Sequence, residues 1–148
     1  MREFSKTENV INRIIDANIN RAKEGLRVCE EITRFILNSR VLTADIKGLR
    51  HKIDSLIKGL PDKYVLLSQR KSLEDVGRGL FGNELKRNNV EDIFFANIQR
   101  VKESLRVLEE FMKLRNSNLS IRFKGIRYDI YEVEKKIAQR IASLYHHR

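Results

Sequence analysis

The sequence predicts an all-α protein in which two tandem repeats of a long helical hairpin pack as a pseudo-symmetric bundle. Three observations predict it. A fifteen-residue unit occurs twice, ANINRAKEGLRVCEE at 17–31 and ANIQRVKESLRVLEE at 96–110, identical at eleven positions, and self-similarity of this kind marks repeat architecture. Apolar residues recur at alternating steps of four and three, the stripe of a packed helix. Composition agrees: one proline, seven glycines and 34% charged residues in a 148-residue chain favour long, charge-decorated helices over a sheet with many turns.

The elements follow in order. Ile15, Ile19, Ala22, Leu26 and Cys29 form the stripe of a first helix, expected over about 6–37. Leu42, Ile46, Leu49, Ile53, Leu56 and Leu60 form that of a second, over about 43–58, with Thr43 as N-cap and Gly59-Leu60-Pro61 as its stop. The second copy gives helices over about 90–114 and 120–145, the last capped by Ser120. Similarity resumes after the loops, where Lys47–Ile53 matches Lys124–Ile130. The chain therefore reads as a single domain, 1–148. Repeat one covers 10–58, a connector 59–89, and repeat two 90–137 with its last helix running on to about 145. Tyr64-Val65-Leu66-Leu67 has no strand to pair with and reads as extended or helical connector.

Several function classes drop out early. No apolar run follows Met1-Arg2-Glu3-Phe4-Ser5, so no secretory signal is expected, and no stretch approaches the roughly 20 apolar residues of a membrane span. Cys29 is alone and His51, His146 and His147 lack zinc spacing. The expectation is a cytoplasmic chain. Its net charge of +10 fits nucleic acid, a phosphorylated small molecule, or merely a soluble surface with surplus lysine.

Helical phasing places Asn20, Lys23, Arg27, Glu30 and Glu31 on the solvent face of the first helix, and Asn18 and Arg21 inside the apolar sector. Asn97 and Arg100 repeat that placement. An arginine withdrawn from water must be paired or reach a ligand. Two readings follow: struts bonding the opposing hairpin, or an anion site in which the planar guanidinium forks hold phosphate. Small residues accompany them, Gly25 matched by Ser104, and Gly48 by Gly125 inside the second helices. A mid-helix glycine costs about 1 kcal/mol against alanine, so close approach of another helix or a ligand is expected there. Arg50 and Arg127, with Arg27 and Arg106, complete a duplicated set of guanidinium groups.

The connector occurs once. Its stretch Arg70–Asn83 holds three glycines, without a Walker-type or dinucleotide-binding pattern. Backbone N–H groups of such a stretch can wrap a phosphate, and Asp75 can hold Mg²⁺ or take a proton from a hydroxyl. An ordinary inter-repeat loop is the competing reading.

Together these strings resemble one thiamin-pathway family. They are Asp16–Glu31, Leu49–His51, Arg70–Gly77, Ala96–Glu110 and Arg127-Tyr128, in order over roughly residues 10–137. That family is described as a hydroxymethylpyrimidine phosphate kinase and also forms the N-terminal domain of some bacterial thiamine-phosphate synthases. The resemblance implies an ATP-dependent, Mg²⁺-dependent transfer to 4-amino-5-hydroxymethyl-2-methylpyrimidine phosphate, giving the diphosphate. Arg21, Arg50, Arg100 and Arg127 are then expected on phosphate groups. Arg70 and Asp75 are expected at the reacting centre, Asp75 with the metal, and Asn18 and Asn97 as orienting groups or readers of the pyrimidine amine. One departure stands out: the family continues Asp-Val-Gly-Thr, whereas here Arg78 follows Gly77. No synthase barrel is legible, so thiamine phosphate formation is not expected of this chain. The alternatives are a non-catalytic module docking on a thiamine-phosphate synthase and a basic nucleic-acid-binding domain. The sequence leaves a homodimer open. It also leaves open whether the copies, which differ at His51/Tyr128 and Lys52/Asp129, make one site or two.

Overall fold

A computed structural model describes residues 5–60, 63–79 and 85–146. Helix α1 (Lys6–Glu31) begins at a capping box, in which Ser5 Oγ accepts from Glu8 N and Ser5 N donates to the Glu8 carboxylate. A π-helical turn, Ile32–Ile36, follows directly. Helix α2 (Arg40–Ile57) returns antiparallel, and the connector carries a short α3 (Lys63–Gln69) and a 3-10 turn (Ser72–Glu74). Helices α4 (Val90–Met112) and α5 (Ser117–His146) form the second hairpin. Among the described residues there is no strand, and none of the helices is long and apolar enough to cross a membrane. The all-α expectation holds, and the Tyr64–Leu67 stretch is helical.

The two long helices α1 and α4 pack against each other most extensively, α5 covers α4, and α2 packs against α5 and α1. Between them lie Ile15, Leu26, Ile46, Ile53, Phe94, Ile98, Leu105, Leu108, Phe123 and Ile130, all with almost no exposure. Burial of such side chains, at roughly 1.5–3 kcal/mol each, is what holds the helices in register. Gly25 marks the α1–α4 crossing. A Cβ there would come within 2.7 Å of Val101 Cγ2 and 3.0 Å of the Asn97 carbonyl oxygen. What approaches this glycine closely is another helix.

Several local expectations are corrected. Helix α2 starts four residues before the first expected position for its interior, because Ser39 rather than Thr43 caps it, accepting from Leu42 N at 3.2 Å. Likewise Asn116, not Ser120, accepts from Leu119 N at the start of α5. Thr43 and Ser120 have a different task. Thr43 Oγ1 lies 3.0 Å from Thr33 Oγ1, and Ser120 Oγ donates to the Glu109 carbonyl at 2.8 Å, so both hydroxyls tie a hairpin closed. The first helix does not run unbroken to residue 37. The π turn inserts an extra residue per turn, which turns Phe35 out to 67% exposure and Leu37 inward, and Asn38 then reverses the chain at φ 49°. Gly48 and Gly125 are also corrected: both are exposed, and a Cβ at either would meet nothing within 4 Å.

Candidate functional site

The largest reversal concerns Glu30. Phasing put it on the solvent face, yet its carboxylate has 0% exposure. It accepts from Arg50 Nη2 at 2.8 Å and from Arg27 Nη1 at 2.9 Å. The second copy builds the same strut, with Glu109 buried and accepting from Arg127 Nε at 3.0 Å. Burial works to lower the Arg127 guanidinium, and its bonds to Tyr131 and Glu109 outweigh that, holding it above its ordinary value. Arg50 and Arg127, expected on phosphate, therefore sit in ion pairs between the first and second helices of their hairpins. Lys52 and Asp129, which occupy matching positions in the two copies, pair with each other across α2 and α5 at 2.9 Å. Their divergence is a contact between the halves.

Four of the remaining sequence-selected residues come together. A cleft of about 780 Å³ opens between α1 and the connector, and Asn18, Arg21, Arg70 and Asp75 all line it. Its floor is α1, where Val10, Ile14 and Ala17 give an apolar strip flanked by Arg13, Arg21 and Glu24. These residues share a face because they recur at helical steps of three and four. The other wall comes from Arg70, Lys71, Ser72 and Asp75 of the connector.

One ion pair fastens that wall. Arg70 Nε and Nη2 donate to the two Asp16 carboxylate oxygens, each at 2.7 Å, a bidentate fork. The hydrogen bond to Asp16 raises the Arg70 pKa above its ordinary value despite some burial. Asp75 Oδ1 accepts from Gly77 N at 2.9 Å, a local turn bond, and its second oxygen has no partner among the described residues. Asn18, 4% exposed, donates from Nδ2 to the Ile14 carbonyl at 2.8 Å. That bond fixes the amide of this cleft residue and leaves Oδ1 without a partner among the described residues. Arg21 is exposed rather than buried, and neither Arg21 nor Arg13 has a protein partner among the described residues. Arg21 thus belongs to neither a buried strut nor a core network; it is a cation held at the edge of an apolar strip.

Asn97 and Arg100 lie on the matching face of α4, outside this cleft. Asn97 makes the same bond as Asn18, Nδ2 to the Ile93 carbonyl at 2.8 Å, and Arg100 is exposed. Among the described residues, the connector helix α3 packs on α1. Sequence reasoning missed Arg13, Asp16, Glu24, Lys71 and Ser72 of the cleft. Asp16 had a signal one residue before the repeated unit: the matching position of the second copy is Phe95, so an anchor for the connector exists in one copy only.

The chemistry available is electrostatic. No group of three or more His, Cys, Asp or Glu side chains that could hold a metal occurs among the described residues. Asp75 is therefore at most one carboxylate ligand of a cation that takes its other oxygens from phosphate and water, as Mg²⁺ commonly does. Cys29 is buried, and that burial, with Glu134 adding, pushes its thiol up to about 12, which disfavours the thiolate.

Comparison with known proteins gives a consistent result. The ThiD2 family matches residues 13–136. The chain is 43% identical over 125 residues to a thiamine-phosphate synthase of Prochlorococcus marinus, an overlap of 84% of this chain and 34% of that protein. It is 40% identical over 153 residues to the thiamine-phosphate synthase of a Synechocystis strain, covering 98% of this chain and 43% of the relative. A Rhodopirellula baltica thiamine-phosphate synthase is 35% identical over 133 residues, 89% of this chain and 35% of the relative. The chain thus spans between 34% and 43% of the length of these curated relatives. No solved structure matches it.

Proposed function

The chain belongs to the ThiD2 family, and on that premise we propose that it acts in thiamin biosynthesis as a kinase. It transfers a phosphoryl group from ATP to 4-amino-5-hydroxymethyl-2-methylpyrimidine phosphate. The observation that carries this reading is the cleft. It offers an apolar strip for a flat ring, a fixed acceptor in Asn18 Oδ1 for a ring amine, and for a phosphate the guanidinium groups of Arg13 and Arg21, which have no partner among the described residues. Arg70, pinned by Asp16, keeps Nη1 available on the facing wall beside Lys71.

In the reaction, an oxygen of the pyrimidine phosphate bonds to the γ-phosphorus of ATP while the bond from that phosphorus to the β–γ bridging oxygen breaks. The electron pair leaves on ADP. The attacking oxygen is already ionised, so no strong base is required, and catalysis rests on bringing two polyanions together. Arg13 and Arg21 would hold the acceptor phosphate, and Arg70 and Lys71 would offset charge on the transferred group. Mg²⁺, when bound with Asp75 as a ligand, supplies further neutralisation of the phosphate oxygens.

The test is direct. The purified protein with ATP, Mg²⁺ and the pyrimidine monophosphate should form ADP and the pyrimidine diphosphate in equal amounts. Arg21→Ala should lower kcat/KM about 100-fold with an unchanged melting temperature, since the side chain is exposed and holds nothing else. Absence of diphosphate from the wild-type protein would overturn the proposal.

A second reading, docking on a separate thiamine-phosphate synthase, draws on the relatives, in which the matching region is part of proteins of that name. It predicts co-elution with such a synthase and no ATP turnover. Nucleic-acid binding finds less support. Arg27, Arg50, Lys52, Lys102, Arg106 and Arg127 are committed to carboxylates of the same chain, leaving no continuous basic stripe from the repeated arginines.

A further inference from the structure

A buried amide connects the connector to the opposite hairpin. Asn12 lies on α1 with 0% exposure. Its Oδ1 accepts from Arg115 Nη1, and its Nδ2 donates to Gln69 Oε1. Arg115 belongs to the turn between α4 and α5, and its Nη2 also donates to the Glu8 carbonyl at 2.9 Å. Gln69 is the last residue of α3, immediately before the Arg70 that clamps Asp16. Asn12 and Asp16 are one helical step apart on the same face of α1. The end of α3 is therefore fastened at two successive residues to two successive turns of one helix.

The second copy lacks this arrangement. The position matching Asn12 is Glu91, and it takes His146 from the end of α5 instead of a connector residue. An amide can serve two unlike partners at once, accepting on oxygen and donating on nitrogen. Asn12 uses both capacities, and both are buried or half-buried, where a lost partner is costly.

We propose that Asn12 is a positioning residue, and that the Arg115–Asn12–Gln69 relay sets where the connector wall sits over the cleft. The α4–α5 turn of the second hairpin then controls ligand affinity at a cleft it does not touch. This inference rests on the reading of the cleft as a ligand site, but its first measurement does not.

Deuterium exchange of the full chain without ligand, followed over residues 63–75, reads the position and stability of the wall directly. Gln69→Ala removes the connector's link and leaves Arg115 on Asn12. Exchange over that segment should rise about tenfold, the factor one such buried hydrogen bond supplies, while protection of α4 and α5 stays unchanged. Binding of the pyrimidine monophosphate should weaken by a similar factor. Arg115→Met should do the same from the other side. N12D should behave as wild type, because a carboxylate accepts from Arg115 and Gln69 can turn its amide to donate. N12L should lose both links, and if it fails to fold, the Gln69 and Arg115 variants carry the test. Unchanged exchange over 63–75 in Gln69→Ala and Arg115→Met overturns the proposal. Raised exchange with no phosphate binding even in the wild type leaves the relay standing and removes the kinase reading.

Discussion

The α1 and α4 faces come from nearly the same fifteen residues, yet among the described residues it is the α1 face that the connector walls into the cleft. Both carry the fixed asparagine, Asn18 or Asn97, with the same 2.8 Å bond to the carbonyl four residues before. Both carry an exposed arginine one turn on, Arg21 or Arg100. They differ where the connector would attach. Asp16 and Asn12 on α1 hold Arg70 and Gln69, whereas Phe95 and Glu91 on α4 hold neither, and Phe95 stands 44% exposed against Phe94. The duplicated unit thus supplies a platform, and two residues just outside it decide whether a wall is built on that platform.

What the halves share is tested by the largest effect. Arg50→Met removes the cation facing the fully buried Glu30 and should destabilise the fold by about 3 kcal/mol in urea unfolding. Glu30 keeps Arg27, which holds the figure at the lower end for a broken buried pair. Arg127→Met should cost a similar amount through Glu109. If either variant unfolds like the wild type yet loses phosphate binding, the strut reading is wrong and the phosphate role first expected for these arginines returns.

What the halves do not share comes next. Asp16→Phe imports the second copy's residue into the first and should free Arg70 and weaken pyrimidine phosphate binding about 100-fold, the value of two charge-assisted bonds. Arg100→Ala should leave binding untouched, and titration should give one ligand per chain. Two equivalents per chain, or an Arg100→Ala variant that no longer binds, would show that the α4 face is a site as well.

How much of this was legible follows from which forces act locally. The helices and the core stripe were readable because period and burial are properties of consecutive residues. Repetition and phasing singled out Asn18 and Arg21, the family resemblance singled out Arg70 and Asp75, and all four line one cleft. Glu30 was not, because a charged residue at a polar phase looks solvated until a guanidinium from another helix, Arg50, covers it. Asn12, Gln69 and Arg115 lie 57 and 103 residues apart in their pairings, and no periodicity links them. Caps were misplaced for a simpler reason. Ser39 and Thr43 are both capable of capping, and only the geometry of the turn after the π segment decides between them.

Glycine gives the smallest and sharpest form of the comparison, because it contrasts a helix buried against a helix with one facing water. Gly25 and Gly48 carry the same intrinsic penalty within a helix, about 1 kcal/mol against alanine. At Gly48 nothing lies within 4 Å of an added Cβ. Gly48→Ala should therefore recover that penalty and stabilise the protein by about 0.5–1 kcal/mol. At Gly25 the same methyl meets Val101 and, more seriously, the Asn97 carbonyl, which is backbone and cannot turn aside. Gly25→Ala should lose about 1–3 kcal/mol by forcing α1 away from α4. Opposite signs from the same substitution, read as shifts of the urea midpoint at constant m-value, would locate the closest packing of the bundle at the α1–α4 crossing. A stabilising Gly25→Ala would mean that the two helices stand further apart than Val101 allows, and a destabilising Gly48→Ala would mean that the outer face of α2 is covered in solution.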